Sequence, residues 1–134
     1  LTRYKDTLIS LSDRTKLAKA LKADLFVSLH CNHSDNPDAR GIEVYVAKAM
    51  SKYSDNATWL AFQLRDDLNK NLGFESRGVK FANFQVLRET VEYCASILLE
   101  LGFMSNEDEA RHLKVDDNVF AIGLSILGRL QIKE

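Results

Sequence analysis

Apolar positions change their period several times along this chain, and each change marks an element. Ser10, Leu11, Ser12 and Asp13 form a capping-box pattern. Leu11, Arg14, Leu17, Ala18 and Leu21 then recur at spacings of three and four, which predicts an amphipathic helix ending at Ala23-Asp24. Residues 25–30 form a short run with β-branched and aromatic members, which predicts a buried strand. Residues 33–40 are turn formers and polar residues, so a loop follows. Gly41 opens a second strand, 42–46, with Ile42, Val44 and Val46 on one face and Glu43 on the other.

The longest helical pattern covers 54–72, with Trp59, Phe62, Leu64, Leu68 and Leu72 as its core stripe and Gly73 as its stop. Residues 84–87 read as a third strand and 96–101 as a fourth, with Glu100 near its end and Gly102 turning the chain. Ser105 or Asn106 caps a short helix through Leu113, whose first turn holds Glu107, Asp108 and Glu109, as the helix dipole favours. Phe120, Ile122, Leu124, Leu127 and Leu130 predict a final helix over 116–130. Strands alternating with helices predict an α/β domain: a mostly parallel twisted sheet flanked by helices. In such sheets functional groups gather at the carboxyl ends of strands. His30 and Glu100 both stand at such ends.

Composition narrows the picture a little further. The 134 residues suit one domain, and a net charge of −1 with mixed signs argues against a basic nucleic-acid surface or avid binding to anionic membranes. No apolar run approaches the ~20 residues of a membrane span. Residues 1–20 lack a signal-peptide core, and a chain opening on Leu1 is expected to be a processed or trimmed product. Cys31 and Cys94 are expected to be two buried thiols, with no metal-type spacing between them.

A His and a Glu at neighbouring strand ends suit metal-assisted hydrolysis. Zinc takes neutral imidazole as a ligand and leaves a position for water, whose proton a nearby carboxylate accepts. The competing reading makes His30 a hydrogen-bonded structural residue and Glu100 a salt-bridge partner. On these residue types alone both stand.

The surrounding words add a resemblance. Ser28-Leu-His-Cys-Asn32 resembles the S-[IL]-H-x-N segment of the zinc-dependent N-acetylmuramoyl-L-alanine amidase family, amidase-3 type. Leu99 to Asn106 resembles its [LV]-E-x-G-F-[LM]-[ST]-N segment. Thr2-Arg3 with Asp6, Arg14 with Ala18 and Ala23-Asp24, Gly41 to Tyr45, and Arg77 to Lys80 followed by Phe84 to Arg88 match further segments in family order.

The resemblance implies a peptidoglycan hydrolase of the bacterial cell envelope, periplasmic or secreted. It would cleave the amide between N-acetylmuramic acid and L-alanine. It implies a phosphorylase/hydrolase-like fold, with His30 as a zinc ligand and Glu100 as the catalytic Glu. The family's other two ligands, a His and a Glu, precede its T-R segment, so they are expected upstream of Leu1. Residues 1–134 are therefore expected to be the C-terminal three-quarters of one catalytic domain, lacking its N-terminal strand and helix, holding zinc weakly and self-associating through the exposed sheet. The alternative is a truncated, inactive peptidoglycan-binding remnant, and an α/β interaction module that borrows the fold is a third reading.

Two further departures, Lys19 and Ala95, remove no catalytic group. The stretch between Val46 and Trp59 is short, which implies the compact type without a regulatory helix. His33 is expected to be a solvated loop residue, and His112 a partner of a helix C-terminus. Asn32 and Asn106 are expected to fix loops. Arg77, Lys80 and Arg88 are candidates either for surface salt bridges or for contact with stem-peptide carboxylates.

Overall fold

Ser10, extended, accepts a hydrogen bond from the Asp13 amide and donates its hydroxyl to Asp13 Oδ2 at 2.7 Å, and helix α1 (Leu11–Ala20) starts there. The structure, a computed structural model, describes residues 1–129. Strand β1 (Leu25–Asn32), strand β2 (Ile42–Ala47), helix α2 (Ser54–Leu72), strand β3 (Ser76–Ala82) and helix α3 (Gln85–Thr90) follow. Strand β4 (Ala95–Phe103) and helices α4 (Glu107–His112) and α5 (Asp116–Arg129) complete the chain. Leu130, the last position of the predicted terminal helix, lies outside the described residues.

The four strands form one open sheet in the order β1-β4-β2-β3. β1 pairs with β4 in parallel, β2 with β3 in parallel, and β2 with β4 antiparallel. The sheet is thus mostly parallel and flanked by helices, as expected. On one face Ile42, Val44, Val46, Ile97 and Leu99 pack against α2 and α5. On the other, Phe26 and Leu98 meet Ala18 of α1 and Val86 and Leu87 of α3.

Several expectations are corrected. Residues 84–87 are helical: Val86, Leu87 and Thr90 are buried at helix spacing, and Phe84 is the N-cap residue. A four-residue apolar run does not distinguish helix from strand by period. The third strand is instead 76–82, a partly exposed edge whose polar residues hid it. β1 is the other edge rather than a fully buried strand, and Leu29 is 52% exposed.

Helix stripes were also partly misassigned. Trp59 and Phe62 are exposed, and Ala57, Leu60, Ala61, Leu64 and Leu68 carry α2 into the core. At 3.6 residues per turn Ala57, Ala61, Leu64 and Leu68 share one face, and Trp59 and Phe62 fall away from it. In α1 the buried positions are Thr15 and Ala18, while Leu17 and Leu21 face out. In α5 Ile122 and Ile126 are buried, and Phe120, Leu124 and Leu127 are not. Gly102 continues β4 at φ +140° rather than turning the chain. Gly73 does stop α2, in the left-handed region at φ +73°.

Candidate functional site

Register brings the predicted pair together. His30 on β1 stands opposite Glu100 on β4, and Glu100 stands opposite Glu43 on β2. Directly paired residues share a sheet face. His30, Glu100 and Glu43 therefore form a row on the face that also carries α1 and α3. Two cations from β3, Arg77 and Lys80, reach into the same row. One polar line thus crosses all four strands at the carboxyl ends of β1 and β4.

Glu43 is the most heavily engaged group in the line. Lys80 Nζ donates to its Oε1 at 2.5 Å and Arg77 Nε to the same atom at 2.8 Å. The Tyr45 hydroxyl donates to Oε2 at 2.5 Å and Asn32 Nδ2 at 3.2 Å. The Glu43 side chain is only 5% exposed, against 42% and 40% for Arg77 and Lys80. Burial pushes its carboxyl pKa up, but hydrogen bonds from Lys80, Tyr45 and Arg77 outweigh burial and hold it at about 2. Burial and the bond to Glu43 raise the Tyr45 hydroxyl. Glu43 is therefore a fixed anion at neutral pH.

Glu100 differs in having none of these partners. Its Oε2 is buried and has no hydrogen-bond partner among the described residues. Burial, then the negative charge of Glu43, raises its pKa to about 7. Two carboxylates in paired positions are thus driven apart: one always charged, the other titrating near neutrality. Divergent pKa values in adjacent acids are a mark of acid–base sites.

His30 lies beside Glu100 with Nε2 at 2.7 Å from Ser28 Oγ. Burial, then the positive charge of Arg14 on α1, lowers its pKa, so the ring is neutral at pH 7. A neutral imidazole offers a lone pair to a metal or to a proton. The donor set for zinc is partial: His30 suits one ligand position, and among the described residues no three His, Cys, Asp or Glu groups cluster to hold an ion. Catalytic zinc sites use three protein ligands.

The other histidines lie elsewhere. His33 is exposed in the loop after β1, and His112 ends α4 with its ring edge-on to Phe74, 5.0 Å between centroids. Asn106 caps α4 and its Nδ2 donates to Pro37 O at 3.0 Å, as expected of a loop-fixing residue. Asn32 Oδ1 likewise accepts the His33 amide at 2.8 Å. Cys31 is exposed, contrary to expectation, because alternation on the edge strand turns it away from His30; Cys94 is buried and both thiols are free.

Two acids hold places that their sequence surroundings only partly signal. Glu43 was placed away from the core face, which is correct, yet it is buried on the second face; its position between Ile42 and Val44 in a covered strand was the available signal. Glu109 is expected to serve the helix dipole. Instead it is buried, and its two oxygens accept the Gly41 and Phe103 amides, each at 2.7 Å. That clamp joins the start of β2 to the end of β4, the strands carrying Glu43 and Glu100. A carboxylate in the first turn of a helix gives no sequence sign of such partners.

Known proteins resemble this chain in sequence and fold. The family model described as N-acetylmuramoyl-L-alanine amidase matches residues 1–130. The chain is 37% identical over 114 residues to the N-acetylmuramoyl-L-alanine amidase LytC of Bacillus subtilis (strain 168), covering 85% of this chain and 22% of that protein. It is 39% identical over 119 residues to an endolysin of Bacillus phage SPP1, covering 87% and 42%. The chain thus spans under half the length of these relatives. Its fold superposes on the crystal structure of N-acetylmuramoyl-L-alanine amidase from Clostridium difficile 630 with a TM-score of 0.83 and 31% identity, covering 98% of this chain and 71% of that one.

Proposed function

The chain belongs to the N-acetylmuramoyl-L-alanine amidase family, and from that premise we propose that it hydrolyses the amide joining N-acetylmuramic acid to the L-alanine of the peptidoglycan stem peptide, at the bacterial cell envelope. The observation that carries this reading is Glu100: a half-buried side chain whose buried Oε2 has no hydrogen-bond partner among the described residues, with a pKa near 7, beside a neutral His30. An acid–base group works best when its pKa lies near the working pH. Glu100 takes a proton from the attacking water and returns it to the departing alanine nitrogen. Burial first, and then the fixed charge of Glu43, keep the pKa of Glu100 high, and β-sheet register holds the two acids side by side.

The family is generally zinc-dependent, and we propose His30 as one ligand of such an ion. When bound, zinc supplies a Lewis acid for the carbonyl and lowers the pKa of a water. The residues of this chain bind, orient and move protons. The remaining ligands of the set are proposed to come from outside residues 1–134, which would then form part of one catalytic domain. The family match favours this reading over a binding remnant, since Glu100, the group a remnant does not need, is present with its Oε2 buried and unpartnered.

The test supplies zinc and purified peptidoglycan to the full product of the gene and chromatographs the soluble material. Peptides with a free N-terminal alanine are expected, and Glu100→Gln is expected to reduce their release by at least a hundredfold. Residues 1–134 alone are expected to release none. Zinc-dependent release by residues 1–134 alone would show that His33, His112 or another group completes the ligand set. Wild-type rates from the Glu100→Gln protein would sink the assignment.

A further inference from the structure

Glu43 has more positive charge around it than it needs. Tyr45 and Asn32 satisfy one carboxylate oxygen, and a single cation would neutralise the group. Two cations are present, both on Glu43 Oε1, so Glu43, Arg77 and Lys80 together carry a net charge of +1. Both cation side chains are about two-fifths exposed, at 42% and 40%. Arg77 uses Nε on Glu43 and Nη1 on the Arg40 carbonyl at 3.3 Å, and its Nη2 has no acceptor among the described residues. Lys80 spends one donor on Glu43 and keeps two hydrogens. The nearby acid Glu75 is engaged with Arg40 at 3.2 Å instead.

The pair is also held in place. The Arg77 guanidinium lies 5.2 Å from the Phe103 ring centroid, at the end of β4, and Lys80 Nζ lies 5.9 Å from the Tyr45 ring centroid. Both heads sit over β2, one strand from Glu100. Neighbouring strands are about 4.8 Å apart, and an extended peptide advances roughly 3.3–3.6 Å per residue. A group meeting these cations while an amide lies at Glu100 is therefore one to two residues beyond that amide.

Building on the proposed amidase reading, we propose that Arg77 and Lys80 form a carboxylate subsite that selects stem peptides carrying a free carboxylate one to two residues beyond the bond attacked. Glu43 holds the two heads in position, and their unspent donors face the peptide. Charge-assisted hydrogen bonds are about twice as strong as neutral ones, so one lost contact of this kind corresponds to roughly tenfold in affinity.

The probes are two soluble N-acetylmuramoyl-L-alanyl-D-glutamate ligands that differ in one group: the α-carboxyl of the glutamate is free in one and amidated in the other, with the side-chain carboxyl blocked in both. Binding is measured calorimetrically in the full-length Glu100→Gln protein, so that no ligand is consumed. The free carboxylate is expected to bind about tenfold tighter. Lys80→Gln should bring that ratio close to one with little change for the amide, and Lys80→Arg should restore most of it. Circular dichroism of each variant separates loss of the subsite from loss of the fold, and Arg77→Gln gives a second, independent reading. An unchanged ratio in folded Lys80→Gln and Arg77→Gln, or equal binding of both ligands by the parent, overturns the subsite and leaves the amidase reading standing. A carboxylate preference in a protein that releases no stem peptides does the reverse.

Discussion

Replacing Glu43 by Gln tests the electrostatic core of the site. The wild-type carboxylate is nearly inaccessible and accepts from Lys80, Arg77, Tyr45 and Asn32. Holding a carboxyl from its ordinary 4.5 down to about 2 corresponds to roughly 3 kcal/mol in favour of the charged folded state. Arg77 and Lys80 are partly solvated, so screening reduces this to about 1–2 kcal/mol.

The sign follows from the direction of the shift. A depressed carboxyl pKa adds stability that is fully present above about 4.5 and disappears as pH falls through about 2. Glu43→Gln removes that contribution and turns an amide N–H toward donors, a further cost that does not vary with pH. Urea unfolding of both proteins at pH 7 and pH 2.5 is the assay. The gap between them should be wider at pH 7 by about 1 kcal/mol, most but not all of the screened contribution, because the folded carboxyl is still largely ionised at pH 2.5. Equal gaps at the two pH values would refute the reasoning, because the cost would then be shape or hydrogen-bond geometry rather than charge.

Three other outcomes are expected. The pKa of Glu100 is raised to about 7, so the charged form is disfavoured on folding, and metal-free wild-type stability should fall as pH rises from about 4.5 to 7 and then level off. Glu100→Gln should lack this fall in thermal unfolding followed across that range. Glu109→Ala orphans the buried Gly41 and Phe103 amides, and urea unfolding should show a loss of roughly 2–4 kcal/mol. Gly41→Ala should destabilise more than Gly73→Ala in the same assay: both need positive φ, at about 1–2 kcal/mol, but a Cβ at Gly41 would meet the Glu75 carbonyl oxygen at 2.9 Å while at Gly73 it meets nothing within 4 Å.

The sequence alone determined the elements that rest on strong local chemistry. Ser10 and Asp13 marked the start of α1, Gly73 ended α2, and Asn106 capped α4, because caps and left-handed stops depend on neighbours along the chain. Short motifs around His30 and Glu100 pointed to the candidate site, and their place at strand ends followed from the run of apolar residues before each. Only the tertiary structure decided what those residues face. Strand order and register put Glu43 beside Glu100, and neither is encoded in the period of any single segment. The same holds for the α2 stripe, where Leu64 and Leu68 are buried as expected but Ala57 and Ala61, rather than Trp59 and Phe62, share the core face with them. It holds again for Glu109, whose partners lie 68 and 6 residues away along the chain. Burial and charge pairing are sums over neighbours from distant segments, so the pKa values that separate Glu43 from Glu100 exist only once the sheet has assembled.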